Sequence, residues 1–311
     1  MKVSATREPS IKFEYKKWKQ DGLTIAGGHG EGNQSNQLAN PEGIFIDKYQ
    51  TIYIADCQNH RIVQWKYNSK SGQIIAGGNG QGNQTNQLKH PTDVFVEKEN
   101  FSFLVCDYGN KRVVRWFFQN QTTQQILLLN IQCWSLVIDK QGYIYVADHE
   151  NNEVRRWKDG DQQRILVAGG NGRGIGLSQL YLPTYISIDN DYSMYVSDHH
   201  NHRVMKWKKD AKEGIIVAGK SSEKGSVNQL SYPRGITTDS FGGIYVADCD
   251  NHRIMRWYEG NTSGEIIVDG NGQEKQSNQL GHPTDLSFDN EGNLYVVDWR
   301  NHRIQKYEIL F

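Results

Sequence analysis

A short motif that recurs six times along the 311-residue chain constrains the fold more than any other feature. In each complete copy an Asp ends a strand-like run, and Asn-His-Arg and a hydrophobic residue follow after two further positions. Complete copies begin at Asp56, Asp198, Asp248 and Asp298, and degenerate copies begin at Asp107 and Asp148. The copies lie about 50 residues apart, with one interval of about 41, a period typical of solenoids, propellers and arrays. Features present in every copy are therefore expected to be structural, and departures from the pattern are better functional candidates.

Each repeat contains four short strand signals, rich in β-branched and aromatic residues and bounded by Gly, Asn, Asp or Pro. In the first copy these signals begin at Pro41, Ile52, Arg61 and Gln73. No stretch shows helical periodicity of useful length. Four antiparallel strands per repeat predict a propeller blade, so the chain is expected to be an all-β, six-bladed β-propeller.

The two ends of the chain indicate how the ring closes. The last copy, residues 283–307, supplies only three strands, and the missing fourth signal is at residues 22–28. We predict that this N-terminal strand completes the sixth blade, which removes an exposed sheet edge. Residues 21–311 then form the propeller and residues 1–20 an N-terminal extension, in which Trp18 is expected to dock.

Side chains that recur in every blade are interpreted as structural. The third-strand aromatic could be a sugar-stacking platform, but packing between blades is favoured because it buries the large ring; it occurs at Trp65, Trp116, Trp157, Trp207, Trp257 and Tyr307. The motif Asp and Arg are expected to form a charge-assisted pair across a hairpin. A metal site is the alternative for the repeated His, which the separation of blades around a ring disfavours; it occurs at His60, His202, His252 and His302.

This motif, its spacing and the number of copies resemble those of NHL-repeat proteins, a family named for an Asn-His-Leu variant of the same turn. The resemblance covers about residues 20–311. It implies a β-propeller, and the family includes RNA- or protein-binding modules and a few enzymes, notably a zinc- and calcium-dependent amidating lyase. Here the third letter is mostly Arg, and copy three (Asn151-Asn152-Glu153) has lost both His and Arg.

Gly-rich loops connect the blades and begin at Gly27, Gly77, Gly169, Gly219 and Gly270. A phosphate cradle of this composition needs a following helix N-terminus, which is lacking here, so compact crossings between blades are favoured. Blade three lacks its preceding loop, and Cys133 stands where the other blades have Pro. Cys133 and Cys106 then lie on one face of adjacent blades, and we predict a disulfide, or at least close thiols, between them.

The two residues after the Pro position differ between blades and are expected at the mouth of the central channel. Glu42, Asp93 and Asp285 would form an acidic side, with Trp134, Tyr185 and Arg234 opposite. Beside them lie the residues that follow each strand-ending Asp, among them Tyr108, His149, His199 and Trp299.

Two functions compete for this face. The favoured one is a non-enzymatic scaffold that binds a protein or small ligand through Trp134, Tyr185, Arg234, Tyr108 and Trp299. The alternative is a metal-dependent lyase or lactonase-like hydrolase. Glu42, Asp93 and Asp285 would then hold a cation, Ca²⁺ or Zn²⁺, in the central channel. His149 or His199 would transfer protons. A third reading is that these residues simply fill the channel.

Composition bounds the partners and the compartment. The 35 basic and 35 acidic residues cancel, which argues against nucleic acid and an anionic membrane surface. Mean hydropathy is −0.71 and no run of 18 apolar residues occurs, so a soluble protein without a transmembrane helix is expected. The first residues lack the apolar region of a signal peptide, so we expect an intracellular protein, a mature form or an excised domain. A monomer is expected. Five Asn-x-Ser/Thr sequons favour a secreted setting over a cytoplasmic one and a glycoprotein; they are at Asn33, Asn83, Asn100, Asn120 and Asn261.

Overall fold

Short alternating runs separated by tight turns form a ring of six antiparallel sheets, each with four strands. The computed structural model describes residues 16–97, 100–161, 163–219, 228–261, 263–269 and 275–310. The first strands of neighbouring blades contact one another all the way around the ring. The prediction of an all-β, six-bladed propeller is therefore confirmed.

The strands follow the order of the chain. Two precede the first blade, β1 (Lys17–Trp18) and β2 (Leu23–Gly27). Blade one contains β3 (Pro41–Ile46), β4 (Ile52–Asp56), β5 (Arg61–Trp65) and β6 (Gln73–Gly77). Blade two contains β7 (Pro91–Glu97), β8 (Ser102–Asp107), β9 (Arg112–Phe117) and β10 (Asn120–Leu129). Blade three contains β11 (Cys133–Ile138), β12 (Ile144–Asp148), β13 (Glu153–Trp157) and β14 (Ile165–Gly169).

The second half of the ring repeats this order. Blade four contains β15 (Pro183–Ile188), β16 (Met194–Asp198), β17 (Arg203–Trp207) and β18 (Ile215–Ala218). Blade five contains β19 (Pro233–Thr238), β20 (Gly243–Asp248), β21 (Arg253–Tyr258) and β22 (Glu265–Asp269). Blade six contains β23 (Pro283–Phe288), β24 (Leu294–Asp298) and β25 (Arg303–Tyr307), and β26 (Ile309–Leu310) ends the described chain.

The N-terminal strand closes the ring as predicted. β2 is the outer strand of blade six and pairs antiparallel with β25, with Leu23 opposite Lys306. A second pairing, between β1 and β26, holds the segment before it. Trp18 is buried between Tyr245 and Phe288 and donates its indole N–H to the Gly292 carbonyl at 2.9 Å. The division into a 1–20 extension and a 21–311 propeller stays a prediction, since residues 1–15 lie outside the described part.

The repeated Asp and Arg hold the Gly-rich loop that leads into their own blade. In blade one, Asp56 accepts the Ala39 backbone N–H through Oδ1 and Arg61 Nε through Oδ2. The other guanidinium nitrogens of Arg61 donate to loop carbonyls of Asn33 and Gln37. Arg112, Arg203 and Arg303 hold the corresponding loops in the same way. The loops are therefore crossings fixed by buried guanidinium groups; the start of one at Gly270 lies outside the described residues.

The repeated His links each blade to the next through one imidazole nitrogen. It adopts a left-handed backbone conformation at the end of a short 3-10 turn. His60 Nδ1 accepts the backbone N–H of His90, and His302 Nδ1 accepts that of Asn40. In blade three the Asn152 side chain replaces the imidazole and accepts the Leu182 N–H. This contact explains the recurrence of His without a metal.

Blade three also explains the lost Arg. No Gly-rich loop precedes it, so a guanidinium at position 153 would have no loop carbonyls to bind. Glu153 stands there instead and pairs with Arg155.

The third-strand aromatic side chains are kept in all six blades. Each is at most 4% exposed, and they pack between blades. Among the described residues no helix is long and apolar enough to cross a membrane.

Candidate functional site at the channel mouth

A β-bulge at the start of each first strand frees the mouth residues from the sheet. The pairing of β3 with β4 shifts register between Pro41 and Ile44, and four other blades show the same irregularity. In blade two the shift is shorter, between Pro91 and Asp93, and Asp93 stays paired with Cys106. Residues in a bulge are released from the ladder, so their side chains can be aimed elsewhere. Here they project from the ring of inner strands into the channel.

The mouth residues alternate around the ring, so that large and small side chains interlock. Blades two, four and six carry Thr92, Thr184 and Thr284, whose hydroxyls each donate to a backbone carbonyl at the start of the next blade. The next position is large in these blades, with Asp93, Tyr185 and Asp285, and small in the others, with Gly43, Ser135 and Gly235. A Cβ on Gly43 would lie 2.6 Å from the Thr92 carbonyl oxygen, so this close approach needs glycine.

Asp93 and Asp285 each link two neighbouring blades by accepting hydrogen bonds from a backbone amide of both. Asp93 accepts the N–H of Val94 in its own blade and that of Leu136 in blade three. Asp285 accepts the N–H of Leu286 and, across the blade boundary, that of Ile44. Burial raises the pKa of Asp93 to about 7, and burial together with the nearby Asp93 charge raises the pKa of Asp285.

Glu42 and Arg234 meet across the channel although blades one and five are not neighbours. Arg234 Nη1 donates to Glu42 Oε2 at 2.8 Å, and the guanidinium lies 5.3 Å from the ring centre of Trp134. Burial raises the pKa of Glu42, and the positive charge of Arg234 opposes that shift. Burial acts to lower the pKa of Arg234, but the neighbouring acidic groups, with Glu42 first among them, together raise it. The predicted acidic and cationic sides are thus joined by an ion pair.

Tyr185 fills the channel below the mouth. Its side chain is 3% exposed, and its hydroxyl donates to the Thr92 carbonyl of blade two at 3.4 Å. Burial and the surrounding carboxylates raise its pKa well above the usual value, so the phenol stays neutral. Tyr185, Asp93 and Asp285 together therefore close the channel, and a ligand at the mouth would lie above them.

Two of the predicted ligand-binding aromatics, Trp134 and Tyr108, form one group with the candidate proton-transfer residue His149 on the side of blades two and three. Trp134 lies 5.2 Å from Tyr108 and 4.7 Å from His149, measured between ring centres. Trp134 is half-buried, and its opposite contact is the Arg234 guanidinium. The three rings therefore lie together at the edge of the channel. A flat aromatic surface of this kind can serve as a contact for a ligand.

A cleft of about 440 Å³ lies on the other side of Arg234, where blades four, five and six meet. It is lined by His199, His200, Tyr232, Arg234, Cys249, Asp250, His282, Thr284 and Trp299. Aromatic and imidazole faces dominate this lining, with one guanidinium and one carboxylate to orient a ligand. This combination of a concave surface and a few placed polar groups is typical of small-ligand sites.

The structure fixes the proton positions on two candidate histidines. His149 and His199 place Nδ1 3.0 Å from the backbone oxygens of Pro183 and Pro233. A carbonyl only accepts, so each Nδ1 carries the proton and each Nε2 keeps a lone pair. Burial lowers the pKa of His149 to about 4 and that of His199 to about 3. Both imidazoles are therefore neutral at neutral pH.

Part of the cleft was missed at the sequence level. Tyr232 and His282 immediately precede the repeated Pro, whereas the positions predicted to line the mouth follow it. Both have a positive φ, 49° and 53°, which turns their side chains toward the mouth face. The residue before the repeated Pro lies outside the Asn-His-Arg motif, but it differs between blades, and this variation is the sequence signal that could have indicated it.

The carboxylates proposed for a cation are engaged by the protein in this structure. Glu42 binds Arg234, while Asp93 and Asp285 each accept two backbone N–H groups. Across the described ranges, no group of three or more His, Cys, Asp or Glu is placed to hold a metal ion. The donor set seen here therefore does not fit a resident Ca²⁺ or Zn²⁺.

The predicted disulfide is present between Cys106 of blade two and Cys133 of blade three, with Cα atoms 5.2 Å apart. It joins the two blades where the Gly-rich loop is missing. Cys57 and Cys249 are buried and unpaired, as their separate blades imply.

Basic residues on the third strands of blades three and four pair with nearby carboxylates. Arg156 pairs with Asp210 at 3.5 Å, and Lys206 pairs with Glu259 at 2.7 Å. Arg155 is held by Glu153. Such paired charges offer little to a phosphate backbone, which needs free cations.

Comparison with known proteins agrees with this architecture. The NHL repeat family matches residues 230–256 and 280–307. With six four-stranded blades in a ring and a repeated Asn-His-Arg turn, the chain fits an NHL-repeat β-propeller family. No curated protein sequence matches the chain.

Solved structures share the fold at low sequence identity. An auxiliary nutrient binding protein from Bacteroides thetaiotaomicron is 14% identical, with a TM-score of 0.71, covering 95% of this chain and 77% of that one. A gluconolactonase from Xanthomonas campestris is 13% identical, with a TM-score of 0.67 and coverages of 93% and 89%. Inactive virginiamycin B lyase from Staphylococcus aureus, solved with quinupristin, is 12% identical, with a TM-score of 0.61 and coverages of 95% and 100%. At these identities the likeness concerns the fold.

Proposed function

We propose that this protein is a binding scaffold whose channel-mouth face takes a small polar ligand or a segment of a protein partner. The observation that carries the proposal is the cleft between blades four, five and six, which opens beside Arg234 above a filled channel. Tyr232, Trp299 and His199 supply flat faces for contact, and Arg234 supplies the charge that orients a ligand. Trp134 extends the surface on the far side of the guanidinium.

The chemistry of the lining favours a ligand with an acidic group next to an apolar or hydroxylated face. Arg234 already shares its charge with Glu42, so a carboxylate would meet a partly neutralised cation and bind moderately. His199 offers an Nε2 acceptor to a hydroxyl donor. Sugar acids combine these groups, and the fold is shared with a nutrient binding protein and a gluconolactonase.

Gluconate is therefore a suitable first probe, measured by isothermal titration calorimetry and by quenching of tryptophan fluorescence. We expect saturable binding that Trp134→Ala and Tyr232→Ala weaken at least about tenfold, which is the loss of about 1.4 kcal/mol. Tyr49→Ala is the matched control, because Tyr49 is 71% exposed in a hairpin of blade one at the opposite end of the strands. If Trp134→Ala and Tyr232→Ala bound gluconate as tightly as the parent and Tyr49→Ala, the site would be refuted.

A lactonase-like or lyase activity is the second candidate, and one observation favours it. The neutral imidazoles of His149 and His199 keep Nε2 lone pairs, as a general base requires. Hydrolysis of gluconolactone, followed with added Ca²⁺ and after chelation, separates the two functions. The scaffold proposal expects no rate above background in either condition; a Ca²⁺-dependent rate that His199→Gln abolishes would favour the enzyme.

A further inference from the structure

We propose that Asn33 and Asn83 are N-glycosylation sites on the mouth face of the propeller. The two residues occupy one structural position, in the Gly-rich loops that lead into blades one and two. Arg61 and Arg112 fix the loop backbone there, since each donates a hydrogen bond to the carbonyl of its Asn. The sequons Asn33-Gln34-Ser35 and Asn83-Gln84-Thr85 are thereby presented in the same conformation.

This position points its side chain into solvent. Asn33 and Asn83 are exposed, as are Ser35 and Thr85 two residues later. In blade four the equivalent residue is Ile175, which is 79% exposed and whose carbonyl accepts from Arg203. An aliphatic side chain so exposed shows that the position faces away from the protein in each loop. Within the described residues, neither Asn side-chain amide makes a hydrogen bond, so both are free to react.

The disulfide supplies the second, independent observation. Cys106 and Cys133 are both completely buried and joined across two blades. Stable disulfides of this kind form in oxidising compartments, and the lumen of the endoplasmic reticulum is both oxidising and a place of N-glycosylation. The disulfide is therefore what a chain that passes through that lumen would carry.

The reaction requires a lipid-linked oligosaccharide pyrophosphate as co-substrate. The Asn amide nitrogen attacks the anomeric carbon, a carbon–nitrogen bond forms, and the carbon–oxygen bond to the pyrophosphate breaks. The amide loses a proton to a base of the transferase, and the lipid pyrophosphate leaves. The hydroxyl two residues after the Asn has to be presented beside it, which the loop positions allow.

Asn100 provides an internal contrast. Its own side chain is exposed, but the hydroxyl of its sequon belongs to Ser102, which is fully buried in β8 and donates to Glu97 Oε2 at 2.6 Å. Folded protein therefore cannot offer this sequon to a transferase. The residue after Asn261 and the side chain of Asn120 lie outside the described part of the chain. The proposal therefore does not include these two sequons.

Folded full-length chain, produced without glycans, is the test substrate, incubated with a purified oligosaccharyltransferase and a lipid-linked oligosaccharide. Products are released by peptide-N-glycosidase in ¹⁸O water and mapped by mass spectrometry, so each used Asn becomes labelled Asp. We expect label at Asn33 and Asn83 and none at Asn100. The same mapping of chain secreted by eukaryotic cells behind a heterologous leader shows whether both sites are filled during secretion.

Variants in the same loops separate acceptor loss from misfolding. Asn33→Gln and Asn83→Gln should each remove one glycan, while Asn36→Gln and Asn86→Gln, three residues further on and outside any sequon, should remove none. All four should keep the melting temperature of the parent within about 2 °C, since Asn33 and Asn83 are exposed, Asn36 and Asn86 are only partly buried, and surface-loop substitutions change stability little. Absence of label at both Asn33 and Asn83 in the folded and the secreted chain would overturn the proposal.

Discussion

Arg234 of blade five donates a hydrogen bond to Glu42 of blade one at 2.8 Å, across the channel and past the whole of blade six. The side chains are 20% and 9% exposed, so the pair is largely removed from water. It ties together parts of the ring that share no strand pairing. The same guanidinium separates the Trp134 group from the cleft, so the ion pair sets the shape of the mouth.

Breaking this pair from one side should be costly. Glu42→Gln leaves Arg234 as a buried, unpaired cation, and we expect a loss of about 3 kcal/mol in the free energy of unfolding. Arg234→Met should cost a similar amount, because it leaves the buried carboxylate of Glu42 without a partner. The double variant removes both charges and should lose less than the sum of the two. Urea unfolding of the four proteins measures this coupling; strictly additive losses would show that the pair contributes no interaction energy.

Asp93 should make stability depend on pH in an unusual direction. Its pKa is about 7 in the folded protein and about 3.9 when unfolded. The folded state therefore binds the proton more tightly, so this group's contribution to stability falls as pH rises from about 4 to about 7. Asp93→Asn should weaken that trend by up to about 1.4 kcal/mol per pH unit. Asp285, whose pKa is also raised, keeps part of the trend, and the variant loses one acceptor for a backbone amide.

The neutral histidines oppose this trend, so the variant must be compared with the parent. His149 and His199 have pKa values of about 4 and about 3 when folded, below the ordinary value of about 6.5. Their contribution is lost as pH falls below about 6.5, because the unfolded chain takes up those protons first. The measurement is the difference between Asp93→Asn and parent in urea unfolding from pH 4.5 to 7.5. A difference independent of pH would contradict the assignment.

Arg61 should be needed for its loop as well as for its ion pair. Arg61→Ala removes a buried partner of Asp56 and three loop hydrogen bonds, and we expect a loss of about 3–5 kcal/mol. Arg61→Lys keeps the charge but not the planar set of donors, so it should restore only part of this stability. Hydrogen exchange should accelerate at residues 29–38 in both variants.

Blade three supplies the control for that experiment. Glu153 occupies the position of Arg61, but no Gly-rich loop precedes its blade. Glu153 is buried while the side chain of its partner Arg155 is 35% exposed, so Glu153→Ala should cost about 1–2 kcal/mol, less than Arg61→Ala. A loss as large as that of Arg61→Ala would mean that the position matters to the blade itself rather than to the loop.

The disulfide should replace the missing loop as the link between blades two and three. Replacing Cys106 and Cys133 together by Ala is expected to cost about 3 kcal/mol, mostly by freeing the unfolded chain. The parent should lose a comparable amount in reducing buffer, and the double variant should be insensitive to it. Cys57→Ala with Cys249→Ala is the matched control, since those thiols are unpaired, and it should keep the sensitivity to reductant.

Much of the architecture could be predicted because it rests on local periodicity. The strand signals, the third-strand aromatics and the Asp-to-Arg spacing recur, and a propeller is the closed structure that buries six such units. The strand signal at residues 22–28 belongs to blade six because an unpaired sheet edge is unfavourable, and β2 (Leu23–Gly27) lies there. The Cys106–Cys133 bond followed from the same overlay of repeats.

The candidate site was predicted only in part, because ring geometry decides which unrelated positions meet. The sequence places Glu42 and Arg234 on the mouth, but their pairing depends on the channel diameter and on Gly43 and Gly235, which let neighbouring strands approach. Tyr185 was expected at a binding surface, whereas it lies in the channel with 3% exposed. Tyr232 and His282 join the cleft through a backbone turn that the motif does not report.

By itself, the sequence determined the repeat, the number of blades, the closure of the ring and the positions that vary, since these depend on short-range pattern and on burying unpaired edges. Tertiary structure alone decided which varying side chains neutralise one another, which fill the channel and which remain at a cleft. Those outcomes depend on distances between blades far apart in the chain, because the energy of an ion pair depends on the separation of its charges and on how far water is excluded from them.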